Sequence, residues 1–329
     1  MSLTKRISGL FTARRTLHIH VAPQSLAAVV RQGGRIAADG ALHIAVNNPA
    51  GHWQAALAAL RALLEQPGTG TTARDALAAR LPLHVSLSGR WCQMLMAPWS
   101  DALLSEPGAS RFLSMQLAAI YGDAARTWTA SSDDAPYGQP RLVCGIAAEL
   151  LDALHALAAE HATRCAAIEP LAGAACAWLA PGKPEAFAVI EPGRITMASL
   201  TNGRVTAIQS QPCSPAWHGE LAQAWQRWTL RAPELVAVAD VAVVDLSGQP
   251  AGLAAGQLPG RFRLAGSPFS HAGAATAANA AAAGPQASDA AARSGKLPLS
   301  IVPPEVGDGD GKGSGNGNGG KAGRSREAA

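Results

Sequence analysis

Apolar residues along the chain fall into short strand-like runs that alternate with longer runs of helical spacing. Strand-like runs at 17–21, 26–31 and 42–46 are separated by short segments rich in glycine, which predicts a three-stranded antiparallel meander. A helix is predicted over 53–64, because four apolar residues recur there at i, i+4, i+7 and i+11, on one helical face.

The same plan returns later in the chain. A strand is predicted over 186–190, and two more strands over 194–200 and 204–209 flank Asn202-Gly203. This dipeptide strongly predicts a hairpin, because a type I′ turn needs positive φ at both central residues. Trp and Leu residues at helical spacing over 217–228 predict a helix. The sequence therefore predicts an α/β fold in which a meander followed by a helix occurs twice.

The region between the two meanders mixes both kinds of element. Runs at 83–88 and 91–96 flank Ser88-Gly89 and predict a hairpin, and a helix that includes Leu113 ends near Gly122. The remaining predicted strands are 126–130, 141–146 and 165–168, with one or two more in 235–246, and the remaining predicted helices are 150–157 and 171–179.

Composition changes sharply near Gly266, where the chain becomes rich in Ala, Gly, Ser and Pro. Such a segment buries too little apolar surface to offset its ordering entropy, so a disordered C-terminal tail is predicted over 266–329. The other predicted regions are a flexible basic N-terminus at 1–16, a first half at 17–180 and a second, shorter half at 181–265.

The charge and the cysteine content indicate which partners and which kinds of site are not expected. The net charge of +4 is small for 329 residues, and four basic residues crowd the first fifteen positions. Without a broad basic face, nucleic acid is not an expected partner. These basic residues either touch an anionic membrane surface or form a frayed, solvated end, which is the favoured interpretation. Five scattered cysteines without a CxxC pair favour neither a zinc site nor a disulfide framework.

The subcellular location predicted from the sequence is the cytoplasm. No run reaches the ~20 apolar residues that a membrane helix needs, and the N-terminus lacks the apolar stretch of a signal peptide. No membrane span of its own is therefore expected.

Three connections after predicted strands carry a family resemblance. Residues 20–25 read HVAPQS, 191–193 read EPG and 246–249 read LSGQ. With the duplicated meander, they resemble the three nucleotide loops of the actin-like (ribonuclease H-like) fold. Over about 17–264 the chain resembles the actin-like proteins of bacterial type IV pilus assembly platforms. It also resembles the cytoplasmic actin-like domain of the type II secretion inner-membrane platform protein.

The first loop departs from the family pattern, which reads roughly Asp, an apolar residue, Gly and three serines. His20 stands in place of the carboxylate, and Ala22 stands in place of the glycine that lets backbone approach phosphate. Pro23 removes an N–H donor, whereas Ser25 matches the last serine of the pattern. ATP needs a nest of N–H donors and carboxylates that hold hydrated magnesium.

The other two loops are also degenerate. Glu191 keeps a charge and Gly193 keeps the family glycine, but Pro192 between them has no N–H to donate. In the third loop Ser247-Gly248 matches the adenosine-side motif, and Gln249 replaces its second glycine. Because all three loops are damaged, the expectation is that the chain is not an enzyme and holds no cofactor.

The resemblance implies a non-catalytic docking component of a pilus-like or secretion-like platform, peripheral at the inner membrane. The partner it implies is a bitopic inner-membrane protein, through a short cytoplasmic N-terminal peptide, together with the assembly ATPase. Two alternatives remain open: an actin-like ATPase or small-molecule kinase with divergent phosphate loops, and a stand-alone regulator.

Two further sets of residues have alternative roles. Trp99 follows Pro98 at a strand-to-helix junction, where it is either a packing residue or a partner anchor. His18, His20 and His43 lie on neighbouring predicted strands and offer a metal site. Partly exposed sheet histidines are the favoured interpretation, because no carboxylate or cysteine lies near them in the sequence.

Overall fold

The computed structural model describes residues 15–32, 35–36, 42–65, 80–248 and 258–269. The strands are β1 Arg15–Val21, β2 Ser25–Gln32, β3 Arg35–Ile36, β4 Leu42–Ala45, β5 Leu83–Leu87, β6 Cys92–Ala97, β7 Trp128–Ser132, β8 Arg141–Ala147, β9 Cys165–Pro170, β10 Ala186–Glu191, β11 Arg194–Thr201, β12 Arg204–Pro212, β13 Val241–Asp245 and β14 Phe262–Ala265. The α-helices are α1 Trp53–Glu65, α2 Gly108–Tyr121, α3 Ala148–Glu160, α4 Leu171–Leu179 and α5 Trp217–Thr229.

Two sheets share one topology. The first has the order β3-β2-β1-β5-β9, with β4 also paired to β2, and the second has the order β12-β11-β10-β13-β14. In each sheet the first strand is antiparallel to the second and parallel to the strand on its other side. This duplication is the order expected of an actin-like fold, so the predicted fold class is confirmed. A third sheet, β6-β8-β7, lies within the first half.

Side chains alternate between the two faces of each strand, and the two faces of a sheet are buried by different helices. Leu17 and Ile19 of β1 share a core cluster with residues of α1 and α3. In the second half, Ile190 of β10 packs with Trp217 and Trp225 of α5, and Phe187 on the other face of β10 packs with α4. The helix α4 therefore contacts both halves.

The hairpin predicted at the centre of the second meander is present. Asn202 and Gly203 have φ of 53° and 76°, the left-handed values that a type I′ turn needs, and they join β11 to β12. None of the helices in the described residues is both long enough and apolar enough to cross a membrane.

The hairpin predicted around Ser88-Gly89 is wrong. β5 does not pair with β6; it lies between β1 and β9 and is parallel to both, whereas β6 pairs with β8. The N–H of Ser88 instead donates to the carbonyl of Val21, at 3.0 Å. Local turn chemistry indicated a hairpin, but a strand buried on both faces and paired along both edges is placed by distant partners that local patterns do not reveal.

The predicted tail boundary at 266 is four residues too early, because the fold continues to Phe269. Phe269 is 1% exposed and packs on Ala27 and Val29 of β2. Its ring also lies edge-on to Trp178 of α4, with centroids 5.3 Å apart. A single aromatic residue after a Gly-Ser-Pro sequence gave too weak a pattern to predict this contact. The rest of the predicted tail, 270–329, lies outside the described residues.

We expect Phe269→Ala in the full chain to lower the free energy of unfolding by about 3 kcal/mol, because it removes a buried aromatic side chain. Urea denaturation followed by tryptophan fluorescence measures the change. Pro268→Ala, next to it and only partly buried, is the control and should change little. If both variants unfolded like the wild type, residues 266–269 would contribute nothing to the fold.

Candidate functional site

The three degenerate loops follow central strands of the two sheets. The first follows β1, and the second and third follow β10 and β13. The hydrogen bond from Ser88 to Val21 has a counterpart in the second half, where the N–H of Leu246 donates to the carbonyl of Ile190 at 2.8 Å. The loops therefore lie at the carboxyl ends of the central strands, which is where ligands bind in open α/β sheets.

The first loop is closed on itself. The N–H of Ala22 donates to the carbonyl of Ser25 at 2.9 Å, so one of its few N–H groups is already used. His20 is buried, and its Nδ1–H donates to the carbonyl of Ser86 at 3.1 Å. Burial lowers the pKa of His20 to about 4, so a neutral ring stands where the family has a carboxylate. Its centroid lies 5.8 Å from that of Phe269.

The second loop connects the two halves of the molecule. The buried carboxylate of Glu191 accepts a hydrogen bond from the N–H of Gly89, with Oε2 and N 2.9 Å apart. Burial raises the pKa of Glu191, while Ser88, Gly89 and Arg194 act in the opposite direction. A Cβ on Gly89 would lie 2.9 Å from Oε2 of Glu191 and 3.2 Å from Cδ of Arg194, so a larger residue would force these side chains to shift. Gly193 uses its carbonyl to accept from the N–H of Cys213.

The third loop also turns inward. The N–H of Ser247 donates to the Oδ1 of Asp245 at 2.9 Å, and Leu246 packs against the cluster that contains Phe269. Gly248 is the last described residue of this segment, and Gln249 lies outside the described residues. Phe269 therefore lies between the third loop and the first. The second loop contacts Gly89, which follows β5.

Several polar groups of these loops are already used in contacts within the protein. The carboxylate that remains is desolvated and bonded to Gly89, and the position of the other is taken by neutral His20. In the part of the chain that the structure describes, no group of three His, Cys, Asp or Glu residues could hold a metal ion. His18 instead stacks on His84, with ring centroids 4.6 Å apart.

A buried carboxyl group that the sequence did not single out lies beside this site. Glu169 of β9 is opposite Ser86 of β5, which in turn is opposite His20 of β1, so all three lie on one face of the first sheet. Burial raises the pKa of Glu169 to about 7, and the charge of Arg31 opposes the shift. The predicted strand stopped at 168, which left Glu169 outside it; the polar alternation of β1 was the available indication that this face is unusual.

Trp99 has the packing role considered for it, and its part as a partner anchor stays a prediction. Its ring is half-buried and packs on the core of the third sheet, while Pro98 beside it is exposed. The centroids of Trp99 and Tyr137 lie 4.6 Å apart, and the guanidinium carbon of Arg141 lies 5.8 Å from the Trp99 centroid. Tyr137 is 75% exposed. The three side chains form a surface cluster, here called the Trp99 cluster, on a packed base.

No protein-family profile matches the sequence, and no curated protein matches it significantly. Three similar solved structures are each 11% identical to it. The cytoplasmic domain of EpsL, an inner membrane component of the type II secretion system of Vibrio cholerae, gives a TM-score of 0.49 over 81% of this chain and 95% of that chain. The PilM-PilN type IV pilus biogenesis complex gives 0.47 over 77% and 88%. A Bacteroides thetaiotaomicron protein with an actin-like ATPase fold and unknown function gives 0.46 over 77% and 86%.

Two of these structures come from the secretion and pilus machineries that the sequence resemblance names. At this level of identity and superposition, they carry no argument about chemistry or partners. The fold assignment rests on the duplicated strand order described above.

We expect the stability of the protein to fall between about pH 4.5 and pH 7, because the pKa of Glu169 is higher in the folded than in the unfolded chain. As the pH rises, Glu169 loses its proton first in the unfolded chain. The contribution of the protonated side chain to the free energy of unfolding is therefore lost as the pH rises through 7. Glu169→Gln should remove this loss, so its free energy of unfolding at pH 8 should exceed that of the wild type by roughly 3 kcal/mol. Urea denaturation at pH 5 and pH 8 measures the effect, with Glu160→Gln, an exposed carboxylate, as the control. Equal pH dependence in wild type and Glu169→Gln would contradict it.

Proposed function

We propose that this chain is a non-catalytic cytoplasmic docking component of a pilus-like or type II secretion-like inner-membrane platform. The single observation that carries the non-catalytic part is the hydrogen bond between Glu191 and Gly89. A carboxylate that binds hydrated magnesium must face the ligand and keep its charge. Here burial favours the protonated form, and one oxygen is already bonded to the opposite half of the molecule.

The assignment to a platform rests on the sequence resemblance and on the duplicated fold. The recruiting partner that the resemblance implies is a bitopic inner-membrane protein with a short cytoplasmic N-terminal peptide. The Trp99 cluster is the candidate receptor for that peptide, because aromatic residues on a rigid base dominate peptide-binding surfaces. The assembly ATPase is the second partner of this proposal.

A first experiment tests whether the cleft is closed to nucleotide. A ligand stabilises the native state by RT ln(1 + [L]/Kd), so millimolar MgATP should raise the Tm by less than about 1 °C. Differential scanning fluorimetry measures the shift in wild type and in Glu191→Gln. A shift of several degrees in wild type that the Gln variant loses would favour the alternative, an actin-like ATPase or kinase.

A second experiment tests the docking site in cells. Deleting the gene of the bitopic partner should move this protein from the membrane fraction to the soluble fraction. Tyr137→Ala should do the same with little change in Tm, because Tyr137 is largely exposed. Leu230→Ala in the second half, where Leu230 is 80% exposed, is the matched control and should stay with the membrane. Immunoblots of fractionated cells give the result. A wild-type protein that is wholly soluble with every platform component present would contradict the proposal.

A further inference from the structure

An apolar groove lies between α5 and the edge strand β14. It has a volume of about 290 Å³ and is lined by Trp225 and Ala222 of α5, by Phe262 of β14 and by Val236. The side chain of Val236 is 61% exposed. We call this surface the α5–β14 groove. It lies on the second sheet and contains none of the residues of the three degenerate loops.

The groove borders β14, which is an edge strand among the strands that the structure describes. Among the described strands, β14 pairs with β13 on one side only. An edge of this kind offers N–H and C=O groups to a further extended segment. The indole Nε1 of Trp225 is buried and has no hydrogen-bond partner among the described residues. A groove of apolar side chains beside a strand edge suits an extended peptide that presents an aliphatic side chain at every second residue.

The chain contains one segment with this pattern outside the described residues. All the branched aliphatic residues of 270–329 fall within ten positions, and they are Leu297, Leu299, Ile301, Val302 and Val306. The first three alternate with Pro298 and Ser300, so an extended conformation places them on one side. The sequence on either side consists almost wholly of small and polar residues.

Connectivity and charge favour this segment over a partner from solution. The described chain ends at Phe269, four residues beyond the end of β14. The 26 residues at 270–295 span on average about 25–30 Å when flexible, and such a linker gives an effective concentration near the millimolar range. Acidic residues follow the aliphatic ones at 305, 308 and 310. Arg261 lines the groove, and Arg227 and Arg231 lie at the end of α5.

We propose that residues 297–301 dock in cis in the α5–β14 groove, as an extended segment beside β14. The side chains of Leu297, Leu299 and Ile301 cover Trp225 and Phe262, and the acidic residues beyond them face the arginines. The segment then joins the C-terminus to the second half of the fold. This proposal does not depend on the function proposed above and is tested with the purified full chain alone.

Limited digestion with trypsin tests the docking. Docking at an affinity of about 0.1 mM would occupy the groove about 90% of the time, so cleavage after Lys296 should be about tenfold slower than in a protein whose segment is released. Leu299→Asp should release the segment, and so should Val236→Asp on the groove side, where an exposed position tolerates the change. Cleavage after Lys312 is the internal standard, and Ala282→Asp in the linker is the matched control. Equal rates after Lys296 in wild type and Leu299→Asp would overturn the proposal.

A peptide competition identifies the occupant. A fluorescein-labelled peptide of residues 295–310 should bind full-length Leu299→Asp and should bind wild type at least about tenfold more weakly, because the tethered segment competes. Fluorescence anisotropy measures both affinities. If the peptide binds neither protein, the groove does not take this segment. Sedimentation velocity separates docking within one chain from exchange between two copies; a dimer that Leu299→Asp dissociates would overturn the cis arrangement.

Discussion

The hydrogen bond between Glu191 and Gly89 joins the ends of two central strands across the two halves. Glu191 ends the first strand of the second sheet, and Gly89 follows the central parallel strand of the first. The bond is buried, so it forms only when the end of β10 lies close to the segment that follows β5. A Cβ on Gly89 would lie 2.9 Å from Oε2 of Glu191, so the Glu191 side chain would have to shift. The pKa of Glu191 is raised because its carboxyl group is buried at this contact.

A second feature is the unusual polar face of the first sheet. The even-numbered β1 positions carry Thr16, His18 and His20, and Glu169 and Arg31 lie on the same side. Because α4 and Phe269 cover this face, its ionisable groups are held away from water. Burial therefore moves the pKa of His20 down to about 4 and that of Glu169 up to about 7. Both shifts favour neutral side chains at the junction of the halves, which limits the cost of closing it.

Sequence patterns predicted most of the elements but not all of the pairings. The Asn202-Gly203 turn and helix α4 were predictable because their determinants are local. The pairing of β5 with β1 and β9 was not, because parallel partners are brought together by the whole fold and Ser88-Gly89 has the local chemistry of a hairpin turn. Among the site residues, the differences of His20 and Glu191 from the family loop pattern were visible in the sequence. The partner of Glu191 was not, since nothing local to residue 89 indicates a contact with a carboxylate more than one hundred positions later.

The contacts of the loop residues bear on how freely the two halves can move relative to each other. A loop that had merely lost affinity for phosphate would leave an open, solvated cleft with exposed polar groups. Here three loop residues make contacts within the protein: the ring of His20 bonds Ser86, the carboxylate of Glu191 bonds Gly89, and Leu246 packs against the Phe269 cluster. A contact between the halves, such as that of Glu191 with Gly89, stabilises one arrangement of them relative to others. A pre-organised receptor loses less entropy on binding a peptide, so a fixed arrangement would favour the role proposed for the Trp99 cluster.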